Sequence, residues 1–361
     1  MAAGTDYDIA IVGGGINGAG VAREAAYRGY RVVLLEQNDF GSATSSNSTK
    51  MIHGGIRYLE SGDFRLVYDS LHERKALLAI APHLVSPLEL VIPVYKGDVR
   101  PAWMVRLGAF LYDVLAGRRN LGRSRWVPHK ELLRMPGLKK DGLSSGVAYY
   151  DAQAFDSRLT IETALSAEEA GADIRNYHPV KRVTLADGGY TVEGDNRRTG
   201  QPYRVRAKAV VNATGPWAPF FERDTAKHPT APIAYDSGIH FVIPSIGINQ
   251  GLALMAKDRR LIFVLPWRER YTLVGTTERH FKGDNFTELQ PSEEEIVYLL
   301  EQFNAFFPER KLRREQILYM YAGVRALTAG SNRSLTTLSR ESEVVTHSDA
   351  PGTAWLILYG G

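Results

Sequence analysis

The chain has 361 residues, no cysteine and a formal net charge of +4, with 44% hydrophobic and 23% charged residues. This balance is ordinary for a globular protein, and the length suffices for two domains or one large α/β domain with insertions. The absence of cysteine excludes disulfides, thiolate metal sites and cysteine nucleophiles. The N-terminus has no basic segment followed by an apolar one, which predicts no secretory signal, and every apolar run is shorter than a membrane span.

The N-terminal stretch predicts a nucleotide-binding βαβ unit. Residues 8–12 are almost wholly apolar, which is typical of a strand buried on both faces. Gly13, Gly15 and Gly18 follow in the pattern Gly-x-Gly-x-x-Gly, a helix comes next, and the second strand ends at Glu36. The glycines predict in turn a tight turn, a close approach of backbone to pyrophosphate, and close packing of helix on strand. Glu36 is predicted to accept hydrogen bonds from a ribose, which disfavours NADP.

The glycine pattern leaves NAD and FAD open, although its place at the N-terminus favours FAD. The segment "VVNATGPWA" runs from an apolar strand into Ala213, Thr214 and Gly215. It resembles the second sequence mark of the glutathione-reductase-like flavoproteins, where this strand end borders the cofactor. Taken alone, the segment is better explained as an ordinary strand that ends in a Gly-Pro turn. The two features together favour FAD.

Residues 96–140 are strongly basic, with eleven Lys and Arg against three Asp and Glu. They contain "RPAWMVRLGAFLYDVLAG", an apolar and aromatic helical candidate that arginines follow. This pattern indicates either a core helix with a solvated basic end or a patch that meets anionic lipid headgroups. Nucleic acid is not a predicted partner, because no binding motif accompanies the charge.

The second half of the chain predicts consecutive strands framed by helices. "FDSRLTIETALSAEEAGADIRN" indicates a helix and a short strand, and "GIHFVIP", "RLIFVLPW" and "YTLVGTT" indicate strands. Residues 291–307 predict a helix that begins with a capping box of Ser292 and Glu295. The expected architecture is a discontinuous nucleotide-binding domain with a mostly antiparallel second domain inserted into it.

Residues 43–60, "ATSSNSTKMIHGGIRYLE", join a polar loop to a block rich in chemically useful side chains. An imidazole such as that of His53 can take a proton at physiological pH, and the guanidinium of Arg57 can bind oxyanions through two hydrogen bonds. The histidines at 72, 83, 129, 178 and 228 carry no such neighbours and are expected to be packed or exposed residues.

With this block, "GGGINGAGVAREAAYRG", "RPAWMVRLGAFLYD", "VNATGPW", "GTTERHFKGD" and "AGVRAL" all in order, the sequence resembles the FAD-dependent glycerol-3-phosphate dehydrogenases. The resemblance implies an α/β fold with an FAD-binding Rossmann-like domain of the glutathione-reductase/D-amino-acid-oxidase type and an inserted, mostly antiparallel cap. It implies that residues 1–80, 145–225 and 320–361 form the FAD domain and that residues 81–144 and 226–319 form the cap. The implied reaction oxidises sn-glycerol 3-phosphate to dihydroxyacetone phosphate, with hydride transfer from C2 to flavin N5 and electrons passed to membrane quinone.

The resemblance also implies roles for individual residues. His53 would be the base beside the flavin, and Arg57 and Arg325 would be catalytic arginines that hold the phosphate. Further substrate contacts are expected from Tyr58, His240 and Thr277, and Gly54 and Gly55 are expected to give the flavin ring clearance. No metal is expected, and the cofactor contacts are expected from Gly13, Gly15, Ile16, Asn17, Gly18, Glu36, Gln37, Thr44, Ser45, Ser46, Lys50, His53, Gly54, Gly55, Ala213, Thr214, Gly215, Trp217, Gly360 and Gly361.

The sequence departs from the family pattern in two ways. Glu278 stands where an aspartate is usual, and Ala326 stands where a proline usually follows the arginine. In the family, Gly-Gly is followed by a lysine, a helix and a C-terminal helical domain, so the sequence as given is expected to be a shortened form. A cytoplasmic location at the inner face of the membrane, contact with anionic lipid and a homodimer are expected. An oxidase that uses oxygen, an amine or amino-acid oxidase and a non-catalytic flavin-binding module are the alternatives.

Overall fold

The computed structural model describes residues 6–225, 228–286, 288–328 and 342–360, in which eighteen strands form two sheets. The strands in chain order are β1 (Tyr7–Val12), β2 (Val32–Leu35), β3 (Met51–Ile52), β4 (Val85–Tyr95), β5 (Arg125–Val127), β6 (Leu143–Ala154), β7 (Asp173–Arg175), β8 (Val180–Ala186), β9 (Gly189–Asp195), β10 (Pro202–Asn212), β11 (Ile233–Pro244), β12 (Gly251–Met255), β13 (Leu261–Trp267), β14 (Tyr271–Gly275), β15 (Arg279–Phe281), β16 (Tyr319–Thr328), β17 (Glu343–His347) and β18 (Ala354–Tyr359). The α-helices are α1 (Ile16–Tyr27), α2 (Phe64–Ile80), α3 (Ala102–Ala116), α4 (His129–Leu132), α5 (Asp156–Glu169), α6 (Ala218–Asp224) and α7 (Glu293–Phe306).

The first sheet has a parallel centre in the order β18-β10-β1-β2-β7, with β17 antiparallel at one edge and the β8–β9 hairpin attached to β10. All four residues of β2 are buried, as expected for a parallel strand that has both faces covered. Helices α1 and α5 cover one face with a core of small side chains that includes Ala19, Ala22, Ala164 and Ala167. The predicted fold class is confirmed, since this is the nucleotide-binding half of the expected architecture.

The second sheet has the order β15-β11-β14-β13-β12-β4-β6-β3, with β16 paired to β11 and β5 paired to β6. Every pairing is antiparallel except a short parallel one between β12 and β4. Helix α7 packs on this sheet, and it begins at the predicted capping box: the Ser292 hydroxyl accepts from the Glu295 N–H and the Glu295 carboxylate accepts from the Ser292 N–H.

The sheets divide the chain differently from the domain boundaries expected from the sequence. Strands β3, β6 and β16 belong to the second sheet, although residues 1–80, 145–225 and 320–361 were expected to form the first domain. The reason is pairing: β6 runs antiparallel to β4 over eleven pairs, and β16 runs antiparallel to β11 over ten. These two ladders place β6 and β16 in the second sheet, and β3 joins it through its pairing with β6.

Helix α3 lies on the surface and presents two different faces. Ala109, Tyr112 and Ala116 are buried, whereas the side chains on the other face are large, apolar and 41–65% exposed, namely those of Trp103, Met104, Leu107, Phe110 and Val114. The expectation of a core helix therefore holds for one face only. None of the helices in the described ranges is long and apolar enough to cross a membrane.

Candidate active site

The glycine-rich turn after β1 has the geometry that dinucleotide binding requires. Gly13 has a φ of +107°, which favours glycine, and its N–H donates to the carbonyl of Leu35 at 2.8 Å. A Cβ on Gly18 would overlap the carbonyl oxygen of Gly13, so only glycine lets α1 pack this closely against the turn. Gly15 caps α1, and a Cβ built on it would meet only the hydroxyl of Ser45, at 3.2 Å. The backbone is therefore open to a ligand at the positive end of the helix.

Glu36 anchors this turn from the end of β2. One carboxylate oxygen accepts from the Gly14 N–H at 2.6 Å, and the other accepts from the Asn38 N–H at 2.7 Å. Burial raises the pKa of Glu36, and the backbone hydrogen bonds oppose that shift. A cavity of about 370 Å³ opens beside this carboxylate, and among its lining residues are Gly13, Gly15, Glu36, Gln37, Thr44, Ser45, Ala213, Thr214, Gly215 and Trp217.

A second cavity, of about 870 Å³, shares Thr44 with the first and extends to the second sheet. Residues from both halves of the fold line it, including Thr44, Asn47, Thr49, His53, Tyr58, Gly238, His240, Thr276, Arg325 and Gly360. The two cavities adjoin at Thr44; the turn before α1 lines the first, and His53 lines the second. The glycine-lined cradle beside the first cavity fits the pyrophosphate of FAD.

A smaller recess of about 80 Å³ brings together the three residues expected to be catalytic, His53, Arg57 and Arg325. Arg57 lies 3.6 Å from the Glu278 carboxylate, and Arg325 lies 2.6 Å from the Asp236 carboxylate. Both ion pairs are mostly shielded from solvent. The two guanidinium groups are thus held by carboxylates, and they face the same recess as the imidazole of His53.

His240 lies against this site as a buried, uncharged imidazole. Its Nε2 is 3.0 Å from the hydroxyl of Thr49, and its ring stacks on that of Tyr321 with centroids 4.9 Å apart. Burial lowers the pKa of His240 to about 3, and the charges of Arg325 and Lys50 act in the same direction. The side chain is 3% exposed and its Nδ1 has no hydrogen-bond partner among the described residues. It is therefore suited to hydrogen bonding and not to holding charge.

Several residues expected at the site are engaged elsewhere. The Lys50 ammonium pairs with Asp156 at 2.9 Å and donates to the carbonyl of Ser46, and neither Lys50 nor Ser46 is among the residues that line the two large cavities. Thr277 is buried and donates to Glu295 at 2.8 Å, so that Thr276 lines the cavity in its place.

The remaining expected cofactor residues cluster at the start of α1. Asn17 donates to the carbonyl of Gly360 at 3.0 Å, and Ile16 and Asn17 line a groove outside the two large cavities. Gly361 lies outside the described residues.

The glycines of the His-Gly-Gly block are required by the protein interior as well as by any ligand. A Cβ on Gly54 would lie 2.6 Å from atoms of Leu71 and of Tyr112. Gly55 has a φ of +69°, and a Cβ there would overlap the ring of Tyr58. Packing within the protein is thus one reason for these glycines, and the expected clearance for a flavin stays a prediction.

Three acidic residues of this region were not predicted from the sequence to have a role. Asp151, Asp236 and Glu278 contact or pair with the functional side chains, and the two aspartates are each 1% exposed. A single carboxylate inside a mostly apolar strand, as in "AYYDAQA" and "IAYDSGIHF", is the signal that could have found the two aspartates, because burying an acid is unfavourable without a partner. Among the described residues, no group of three or more His, Cys, Asp or Glu could hold a metal ion.

A parallel sheet with a glycine-rich turn, beside a mostly antiparallel sheet and a cavity that His53 and Arg325 line, is the architecture of a flavoprotein oxidoreductase. The chain belongs to the FAD dependent oxidoreductase family, whose model matches residues 8–357. FAD is the cofactor of that family, and the glycine cradle fits it.

Known relatives place the chain more narrowly. It is 40% identical to a glycerol-3-phosphate dehydrogenase of Pseudomonas aeruginosa over 93% of this chain and 64% of that protein. It is 38% identical to a D-erythritol 1-phosphate dehydrogenase of Brucella abortus over 100% of this chain and 71% of that protein. The structure of the Bacillus halodurans glycerol-3-phosphate dehydrogenase complexed with FAD superposes with a TM-score of 0.77 at 28% identity, covering 100% of this chain and 62% of that one.

The resemblance recognised in the sequence is therefore confirmed. The chain spans about two thirds of the length of these relatives.

Proposed function

We propose that this chain carries the site for FAD-dependent oxidation of sn-glycerol 3-phosphate to dihydroxyacetone phosphate. The observation that supports this best is the recess that holds one imidazole, of His53, and two guanidinium groups, of Arg57 and Arg325. The substrate carries a phosphate dianion next to a secondary alcohol that must lose a proton, so it needs a base and cations in one place. The relative from Pseudomonas aeruginosa is named for the same substrate.

In this proposal each side chain has a defined task. Arg57 and Arg325 bind the phosphate, and Glu278 and Asp236 hold their guanidinium planes in place. His53 accepts the proton of the C2 hydroxyl, so that the O–H bond breaks as the carbonyl forms. FAD, when bound, supplies the acceptor for the hydride that leaves C2.

The cofactor would be held mainly by backbone. Gly13, Gly15 and the N-terminus of α1 would receive the pyrophosphate, and Glu36 would accept hydrogen bonds from the ribose. Thr44 lines both large cavities and would lie along the middle of the cofactor. The neutral His240, with a free Nδ1, would offer a hydrogen bond without adding charge.

Membrane quinone is the proposed electron acceptor, and the exposed face of α3 supports it. Trp103, Leu107, Phe110 and Val114 recur at helical spacing on this face, and the exposed Arg118 and Arg119 follow the helix. An apolar stripe with basic residues beside it is typical of a helix that lies in the plane of an anionic bilayer. We propose a location at the cytoplasmic face of the membrane, which the family resemblance implies; the exposed face of α3 supports contact with a membrane surface. A homodimer is the proposed oligomeric state from the family resemblance, and light scattering measures it.

A second candidate substrate is D-erythritol 1-phosphate, for which the Brucella abortus relative is named. It presents the same phosphate and an alcohol to be oxidised, so the same recess could recognise both compounds. The choice between them depends on the space beyond the reacting carbon and not on the three charged side chains.

The test is the visible absorption of purified, FAD-loaded protein under anaerobic conditions. Bleaching by glycerol 3-phosphate is the expected result, and stronger bleaching by D-erythritol 1-phosphate would reassign the substrate. Reduction by sarcosine or a D-amino acid alone would instead indicate an amine or amino-acid oxidase. Colourless protein that takes up no FAD would contradict the proposal. Peroxide formed during aerobic turnover would show that oxygen, and not quinone, is the electron acceptor.

A further inference from the structure

A buried carboxylate lies behind the catalytic recess. Asp151, on β6, is 1% exposed, and its Oδ1 lies 2.6 Å from Nη1 of Arg74 and 2.7 Å from the hydroxyl of Tyr112. Arg74 is itself fully buried, and its Nε and Nη2 have no hydrogen-bond partner among the described residues. Removing two charges from water is costly and is often not repaid by their attraction. Stability alone is therefore a weak reason for this pair.

The strand register brings Asp151 to His53. In the antiparallel pairing of β3 with β6, Met51 lies opposite Gln153 and Ile52 lies opposite Ala152. The next residues in line are His53 and Asp151, and side chains of residues opposite each other point to the same face of a sheet. Both residues line the 80 Å³ recess.

The same carboxylate also holds the backbone that follows His53. The N–H of Gly54 lies 3.3 Å from Oδ1 of Asp151 and donates to the Tyr112 hydroxyl at 2.7 Å, while that hydroxyl donates to Asp151. The Gly54 N–H, the Tyr112 hydroxyl and the Asp151 carboxylate are thus joined by hydrogen bonds at the residue that follows His53. A shift of Asp151 would move the peptide that positions the imidazole.

The electrostatics have the sign that a base requires. Burial raises the pKa of Asp151, whereas the charges of Arg74 and then of His53 oppose that shift, so the carboxylate and a protonated His53 stabilise each other. Other charged or titratable groups share the cavities that His53 lines, and these are Arg57, Tyr58, Arg65, Asp69, Glu73, Tyr149, His240, Glu278 and Arg325. Asp151 is the carboxylate that would lie opposite His53 if the register of β3 and β6 were continued by one residue.

We propose that Asp151 is a positioning residue for His53, which it aims through the Gly54 peptide and stabilises as an imidazolium after proton uptake. The proposal rests on the proposed function of His53 as the base. In the reaction, the proton leaves the C2 hydroxyl and forms a new N–H bond on His53, and the resulting positive charge faces the carboxylate. Arg74 and Tyr112 keep that carboxylate in place. The role is comparable to that of the orienting acid in a catalytic triad, with the difference that the link described here runs through the Gly54 peptide.

The first test is an NMR titration of the histidine rings in the full, FAD-loaded chain with Asp151→Asn. The pKa of His53 is expected to fall by about one unit or more, because an opposite charge nearby favours the protonated form. His72 on α2 is half-buried and lies outside the cavities that His53 lines, so it serves as the internal control and should titrate unchanged. The acid limb of the pH profile of flavin reduction should move to lower pH together with the pKa of His53. A merely structural role of Asp151 would not cause this shift. An unchanged His53 pKa overturns the proposal.

The second test covers the case in which Asp151→Asn does not fold, since it leaves Arg74 buried without its partner charge. In the unaltered chain labelled with ¹³C-aspartate, the Asp151 carboxyl resonance should show a step at the pKa of His53. His53→Gln, at an exposed position, should abolish that step. A resonance without the step overturns the proposal. These titrations need no substrate, so failure of glycerol 3-phosphate to bleach the flavin would count against the proposed function alone.

Discussion

Nη2 of Arg325 lies 2.6 Å from Oδ2 of Asp236, across the pairing of β16 with β11. The two residues are partners in the strand register, so the sheet itself sets their separation. The carboxylate is 1% exposed, whereas the arginine side chain is 32% exposed at the edge of the recess. The acid is therefore a fixed support, and the guanidinium is the part that a ligand can reach.

Arg325→Ala is expected to raise KM for glycerol 3-phosphate by about tenfold to a hundredfold, as removal of a charged hydrogen bond predicts. Asp236→Asn should raise KM by about tenfold, because the guanidinium remains but is no longer held in one orientation. Steady-state kinetics measure both. Arg204→Ala is the matched control, since Arg204 pairs with Glu193 on the surface hairpin and should leave KM unchanged. Equal KM values in all three variants would remove Arg325 from the substrate site.

His53→Gln is expected to slow flavin reduction at saturating substrate by about a hundredfold or more, the usual contribution of a general base. Affinity for the substrate should change little, because the phosphate is bound by the arginines. Anaerobic stopped-flow measurement of flavin bleaching separates the two effects. His72→Gln provides the comparison, and reduction of the His53 variant at the normal rate would eliminate this residue as the base.

Two glycines of α1 offer a paired test of the nucleotide cradle. Gly18→Ala is expected to abolish FAD binding and lower the melting temperature, because the added Cβ would overlap the Gly13 carbonyl. Gly20→Ala meets nothing within 4 Å and should stabilise the helix by about 0.5–1 kcal/mol. Thermal unfolding and FAD titration measure both variants. Full FAD binding by the Gly18 variant would show that the close packing is not required.

Stability is expected to fall in acid partly because of His240. Its pKa is about 3 in the folded protein and about 6.5 in the unfolded chain, so the unfolded chain binds the proton first as the pH falls. The contribution of His240 to the free energy of unfolding is fully present above about pH 6.5 and is lost as the pH falls below that value. Between about pH 7.5 and about pH 5.5 the loss is about 1 kcal/mol. Urea unfolding at both pH values should show a smaller loss for His240→Asn than for the unaltered chain. His129→Asn, at an exposed position, should keep the full loss.

Charged substitutions on the exposed face of α3 are expected to weaken binding to vesicles. Leu107→Glu combined with Phe110→Glu should reduce co-sedimentation with anionic phosphatidylglycerol vesicles by about tenfold or more, from lost apolar burial and added repulsion. Tyr27→Glu combined with Leu318→Glu is the control, since these side chains are similarly exposed outside α3. Equal binding by the two double variants would assign membrane contact to another surface.

Local patterns in the sequence were enough to predict the nucleotide-binding turn. The conformations of Gly13 and Gly18, the strands around them and the helix cap at Ser292 depend on residues within a few positions of each other. The His-Gly-Gly-Ile-Arg-Tyr block was equally visible because its functional side chains are adjacent in the chain. The family resemblance and the fold class followed from these motifs.

Only the tertiary structure shows the roles of Asp151 and Asp236, because each aspartate lies far along the chain from the group that it contacts. Asp151 reaches the peptide after His53 only through the pairing of β3 with β6, and Asp236 reaches Arg325 only through β11 and β16. Other contacts between residues far apart in the chain join Thr277 to Glu295 and Lys50 to Asp156. Long-range strand pairing likewise places β6 and β16 in the second sheet. Among the candidate site residues, the sequence by itself determined His53, Arg57 and Arg325 but not their acidic partners. Which candidate residues face the cavity depends on strand register, which nearby residues do not specify.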